Sequence, residues 1–260
     1  MFRWGLYSLR NLWARRVTTA LTVVGLGLVV FVLLAVLMLA HGLERTLGKT
    51  GDPENVIILR KGALSEIGSS LSREEIRAVA AQPDVRLTAD HRPLAVAEAG
   101  LQLTLRKGQG GSLTSVTLRG TAPEALAVRP AILLIQGRLW KPGTTEIVVG
   151  ASIARQFPDA RVDRVLHFGN RAWTVVGVFE AGGSGFDSEV WGDAEQFLAT
   201  FHRTTFSSLT LRLAQPATLP AFKDRIERDP RFKFSVKREP EYYEGKAEGL
   251  ARMIRVTGLF

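Results

Sequence analysis

The chain has 260 residues, 46% of them hydrophobic, no cysteine, and a formal net charge of +9. Without cysteine there is no disulfide framework, no thiolate chemistry and no cysteine-based metal site. Four of the positive charges are Arg3, Arg10, Arg15 and Arg16; the others are spread without the basic clusters and interleaved aromatics of a nucleic-acid patch, so nucleic acid is excluded as a partner and a bilayer with anionic headgroups fits the charge better.

Residues 1–16 carry those four arginines and no acid. Phe2, Leu6, Leu9 and Trp13 recur at helical spacing and share one face, which predicts a cytoplasmic amphipathic helix lying in the headgroup layer. Residues 17–40 then run without a charge. As a helix this run is about 36 Å long, enough to cross a hydrocarbon core of roughly 30 Å. The preceding arginines put the N-terminus in the cytoplasm and everything from His41 onward outside. A cleaved signal peptide has a shorter apolar core and a small-residue exit. The exit here, Met38-Leu39-Ala40-His41-Gly42, is a poor cleavage site, so the run reads as a retained anchor. Thr18, Thr19 and Thr22 can bond back to helix carbonyls. Gly25 and Gly27 permit close helix packing, but no G-x-x-x-G motif is present.

The external part is expected to be α+β. The helix should continue toward Asp52, followed by a strand over Asn55–Arg60. Ser72-Arg73-Glu74-Glu75 has the S-x-x-E form of a capping box and opens a helix to Ala81, with Pro83 beyond it and a strand over Val85–Thr88. The same order returns near the C-terminus: a strand over Ser208–Leu213, a helix over Leu219–Arg228 stopped by Asp229-Pro230, and a strand over Phe232–Val236. Two such units can pair into one α/β layer. Between them, residues 92–205 read as mostly β. The expected strands are Leu94–Ala97, Leu101–Arg106, Ser115–Arg119, Glu146–Val149, Val165–Phe168 and Trp173–Phe179. Short helices are expected at Pro123–Ala127, Ala151–Phe157 and Asp193–Phe201, and mobile loops at residues 108–112 and 182–185. From Tyr242 the chain turns helical again and grows apolar toward Gly258-Leu259-Phe260, which reads as the approach to a second span in a truncated chain rather than as a docked terminal helix.

No motif gathers into a catalytic, cofactor or metal site, so no site residue is assigned. Leu47-Gly48-Lys49-Thr50 resembles the end of a P-loop, but the first glycine would fall at position 43, which is Leu, and a membrane helix precedes it instead of a strand. Ser184 sits in a partial G-x-S-x-G elbow whose closing position is Phe186. With Asp187, Glu189 and His202 it can be drawn as a hydrolase, yet a loop with solvated acids fits better. The histidines at 41, 91, 167 and 202 lack ligand spacing. Trp140, Trp173 and Trp191 read as core aromatics.

The opening LYSLRNLWARRVTTALTVVGLGLVVFVLLAVL resembles the start of MacB/FtsX-type ABC transporter permeases, with a basic elbow leading into the first span. Further segments are similar to that family's external domain: Asn55–Leu59, Leu118-Arg119-Gly120, Ile135-Gln136-Gly137-Arg138, Glu146–Gly150 with Ala154, and Val175–Phe179. The resemblance implies a Porter-like α/β subdomain from residues 41–91 and 206–245, a Sabre-like β-rich insert at 92–205, and a helix at 246–260 leading into a truncated second span. It further implies an N-in, bacterial inner-membrane permease subunit without catalysis of its own, in a dimer with a second copy or paralogue. ATP would be bound and hydrolysed by a separate ABC ATPase subunit. The external domain would move in response, acting by mechanotransmission on an envelope substrate such as a lipoprotein, peptide or drug, or on a periplasmic partner. The reading of another class is a single-pass anchored binding module without transport.

Overall fold

The computed structural model describes residues 16–108 and 111–257; the helix expected over the first sixteen residues and the last three residues lie outside that range, Arg16 excepted. The first element, α1 (Arg16–Leu47), is one continuous helix of 32 residues, about 48 Å long. Its segment Arg16–Leu39 has a mean hydropathy of 2.9, and among the described residues it is the one helix long and apolar enough to cross a membrane. Its apolar side chains are exposed along the length, Leu21, Phe31 and Met38 among them. Thr22 Oγ1 donates to the Thr18 carbonyl at 2.9 Å, the expected back-bond. The helix stops at Leu47, short of the expected Asp52.

The chain divides into two compact units, residues 46–246 and the terminal segments outside them. Within the large unit lie β1 (Asn55–Arg60), α2 (Arg73–Ala80), β2 (Ala95–Arg106), β3 (Leu113–Thr121), α3 (Ala125–Val128), β4 (Leu133–Gly137), β5 (Glu146–Gly150), α4 (Ala151–Gln156), β6 (Val165–Phe168), β7 (Arg171–Glu180), β8 (Glu189–Asp193), α5 (Ala194–Thr200), β9 (Ser208–Arg212), α6 (Leu219–Arg228) and β10 (Phe234–Arg238). Helix α7 (Glu239–Thr257) leaves it. The described strands form a single sheet in the order β10-β1-β9-β2-β3-β8-β5-β7-β4, with β6 beside β7. The β3–β8 and β5–β7 pairs are parallel.

The helices of the two expected strand-helix-strand units form where their local signals place them. Ser72 caps α2 with the full reciprocal box to Glu75, and α6 spans the expected residues. Four expectations are corrected. The segments Leu94–Ala97 and Leu101–Arg106 are one strand, β2, running through Glu98 and Gly100. Strands β4 and β8 were not anticipated. Val85–Thr88 is no strand: Val85 and Leu87 make isolated bridges to Leu213 and Pro93, because Pro83 and the turn at Thr88 leave too little extended chain for a ladder. The helix expected at Pro123–Ala127 is only the turn α3, displaced toward Val128.

Alternation along the strands distributes the core. Val56 and Ile58 of β1 pack with Leu209, Leu211, Phe222 and Ile226 under α2 and α6. Ile147 and Val149 of β5 pack with Ile153, Trp173 and Phe197 under α4 and α5. The opposite parity, Ile57 and Leu59 on β1 and Val148 on β5, joins Val96, Trp191, Trp140, Phe186, Tyr242 and Tyr243 in one cluster that runs from β1 to β7.

Candidate functional site

That shared face carries charge where a core should be apolar. Period two puts Asn55 (β1), Glu98 (β2), Arg119 and Thr121 (β3), Glu189 (β8), and Ser208, Thr210 and Arg212 (β9) on it, among Ile57, Val96 and Trp191. All eight are buried. Glu66 reaches in from a 3₁₀ turn after β1. Arg129 comes from the end of α3, and Glu239, Tyr242 and Tyr243 from the first turns of α7.

Arg119 forks onto Glu189, with Nε to Oε2 at 2.7 Å and Nη2 to Oε1 at 2.9 Å. Its Nη1 donates to Glu66 at 2.8 Å and to Glu98 at 3.0 Å. Arg129 forks onto Glu98 at 2.7 and 2.8 Å, and its Nε donates to Glu239 Oε1 at 2.7 Å. The Phe186 ring lies against both guanidinium groups, 5.2 and 4.9 Å from their centres. The remaining carboxylate capacity is met by Ser208 and the Tyr243 hydroxyl on Glu66, Thr121 and Thr210 on Glu98, and Trp191 Nε1 on Glu189. Thus four buried carboxylates share two guanidiniums, and uncharged donors complete the satisfaction that such a network requires.

Burial on its own raises the Glu98 pKa, but the Arg129 and Arg119 charges outweigh it and hold the group at about 2. Glu66 is likewise opposed by burial and brought below the usual carboxylate range by Arg119. Arg129 is raised, its partners Glu239 and Glu98 overcoming desolvation. Burial pushes the Tyr243 hydroxyl well up, so it stays a neutral donor.

Glu239 is where separate chain segments meet. Its Oε2 accepts from the Asp52 amide at 2.9 Å and from Asn55 Nδ2 at 2.8 Å. A Cβ on Gly51, which has φ +96°, would lie 2.7 Å from Glu239 Cγ, so only glycine lets the chain after α1 pass so close. Arg212 continues the cluster through Asn55 Oδ1 at 3.2 Å and Asp52 at 2.9 Å. On the α7 side, the Tyr242 hydroxyl accepts from the Glu66 amide at 3.0 Å. The stretch that follows the apolar helix and the root of α7 therefore meet at Glu239, with the Asp52–Arg212 pair and the Tyr242–Glu66 bond as further ties.

The other residues weighed in the sequence do not converge. Thr50 Oγ1 donates to the Thr46 carbonyl and accepts from the Gly185 amide at 2.8 Å, so Lys49-Thr50 closes a helix end and cradles no phosphate. Asp187 spends both carboxylate oxygens on the Ala181 and Gly183 amides. Glu189 belongs to Arg119, and His202 is exposed in a turn at φ 53°. Ser184 Oγ is buried, without a partner among the described residues, beside a cavity of about 40 Å³, room for a bound water. Trp140, Trp173 and Trp191 are core. Sequence reasoning missed the network because its arginine–carboxylate pairs lie 21 to 110 residues apart. The available signal was a lone charge inside an otherwise apolar strand, as in AVAEAGL and VTLRGT.

A family model described as the MacB-like periplasmic core domain matches residues 19–229. The extracellular domain of the noncanonic ABC-type transporter YknZ from Gram-positive bacteria is 15% identical, with 70% of this chain and 99% of that one covered at a TM-score of 0.54. The periplasmic region of MacB from Actinobacillus actinomycetemcomitans is 13% identical, with 77% and 92% covered, also at 0.54. At these identities the likeness is one of fold. No curated protein sequence matches the chain.

Proposed function

From the premise that this chain belongs to the MacB-like periplasmic core domain family, we propose that it is a permease subunit through which an ABC ATPase on another chain drives an envelope substrate or partner. In this reading α1 anchors the chain in the bacterial inner membrane with its N-terminus in the cytoplasm. The chain from His41 onward faces the periplasm, divided into the Porter-like and Sabre-like parts at the boundaries given above. A second copy or paralogue completes a dimer. In the same reading the chain contributes no catalytic, cofactor or metal residue of its own, and ATP is bound by the partner.

The observation that carries the proposal is the convergence on Glu239. A domain that transmits force needs its membrane-proximal segments rigidly joined to its sheet. Here the stretch after α1 and the root of α7 share one buried carboxylate, itself locked by Arg129 to Glu98 and through it to Arg119. Such buried ion networks contribute little net stability, yet they fix one geometry and are costly to break.

The test is to purify the tagged full chain in detergent from the membranes of its native host. The expected result is a co-purifying ABC ATPase with vanadate-sensitive hydrolysis. Purification as a single species without ATPase activity would overturn the transport reading and leave the single-pass binding module.

A further inference from the structure

Strand β2 changes partners along its length. Residues Ala95–Glu98 pair with β9, whereas the ladder with β3 starts only at Ala99 opposite Gly120. Beyond Thr121 the chain turns away into α3, leaving a slot of about 470 Å³ between β2 and residues 121–124. Four consecutive residues, Leu94 to Ala97, line this slot. Successive strand residues face opposite sides of a sheet, so a pocket on one face would touch only alternate ones; this one runs along the strand's edge. Arg212 donates to the Leu94 carbonyl and Ser207 to the Glu98 carbonyl, which fixes the even-numbered main-chain groups toward β9. Those of Ala97 and the Ala95 carbonyl then point into the slot, with no ladder partner among the described residues.

We infer that this slot is a docking site for an extended polypeptide segment, which adds to β2 as a short strand opposite Ala95–Ala97. The walls are apolar and small-featured, with Pro93, Ala122, Pro123 and Ala127. At the rim Arg92 pairs with Glu124 and Arg73 with Glu195, while Asp193, among the described residues, accepts only from the Gly143 and Gln196 amides. This net acidic rim repels an anionic headgroup, whereas unpaired main-chain groups beside apolar walls complement a peptide's own. The site is distant in role from the charge network and does not depend on the transport reading.

The test is hydrogen exchange, read at single amides, on the full chain in nanodiscs. The probe is a pool of capped nonapeptides randomised over Ala, Val, Thr, Ser and Gln, at about 1 mM, roughly ten times a Kd of about 0.1 mM. The pool is expected to slow exchange of the Ala97 amide by about tenfold, and the same pool with every amide N-methylated to leave it unchanged. Ala127→Trp, at an exposed wall position, is expected to abolish the protection without changing the melting temperature. No protection at Ala97, equal protection along the outer edges of β4 and β10, or persistence in Ala127→Trp would overturn the inference. So would protection by dihexanoyl phosphatidylglycerol below its micelle concentration, which would assign the slot to a lipid chain. Peptide protection without any co-purifying ATPase would leave this inference standing and remove the transport reading alone.

Discussion

At Glu98 burial and charge oppose each other, and the charges win. Its folded pKa lies below the unfolded value, so the stabilisation is complete above about pH 4.5 and is lost as pH falls toward 2. The difference corresponds to about 3 kcal/mol. Thermal melts of the full chain should therefore be flat from pH 7 to 5 and fall steeply below pH 4. Glu98→Gln should melt lower at pH 7, by on the order of 10 °C for a loss of about 3–5 kcal/mol, because it leaves two buried guanidiniums short of a partner. It should also flatten the acid limb. An unchanged acid limb in the variant would locate the titration elsewhere. At Gly150, a Cβ would lie 2.3 Å from the Asp187 carbonyl oxygen. Gly150→Ala must displace that backbone, and a loss of at least about 2 kcal/mol in denaturant unfolding is expected. Such residues were not legible beforehand: Arg119 was noted only as part of Leu118-Arg119-Gly120, and nothing local shows that its partners are Glu66, Glu98 and Glu189.

Local rules worked for the elements wherever the local signal was complete. Ser72 and Glu75 satisfy each other's amides in the expected box, and Glu75 also holds Arg60 of β1 with two bonds at 2.7 and 2.8 Å. Ser72→Ala should cost about 1 kcal/mol in chemical denaturation, and Glu75→Ala measurably more, since it also releases β1. Equal effects would mean that the Arg60 pair contributes nothing. The rules failed where tertiary pairing overrides propensity. Strand β8 is Glu-Val-Trp-Gly-Asp, poor in β-formers, and it exists because β3 and β5 flank it on both sides. Glu98-Ala99-Gly100 looks like a break in β2 but is bridged by β9 on one side and β3 on the other. Asp193 ends β8 and caps α5 by accepting from the Gln196 amide at 2.9 Å, so the helix expected from Asp193 is present while the strand leading into it is not legible.

For the whole molecule, the apolar helix, the α+β class and the family were readable from the sequence, because hydropathy and local motifs carry them, whereas the strand expected at Val85–Thr88 is absent. The continuous face that unites both parts of the sheet was not readable, since it arises from the parity of strands that meet only in three dimensions. That face is the basis of the central proposal, that residues 49–55 and 239–246 would move with the sheet as one body in a cycle driven by the proposed partner ATPase. Hydrogen exchange of the co-purified complex, compared between nucleotide-free and vanadate-trapped states, tests it most directly. In the wild type, both segments and the strands carrying Glu98 and Arg119 should change protection on trapping. In Glu239→Gln, hydrolysis should persist while the change no longer reaches those strands. Ile226→Ala, which weakens the core under α6 and leaves the network intact, should behave as wild type and so separate coupling from stability. A Glu239→Gln complex that transmits the same change, or a wild type that shows none, would contradict the account.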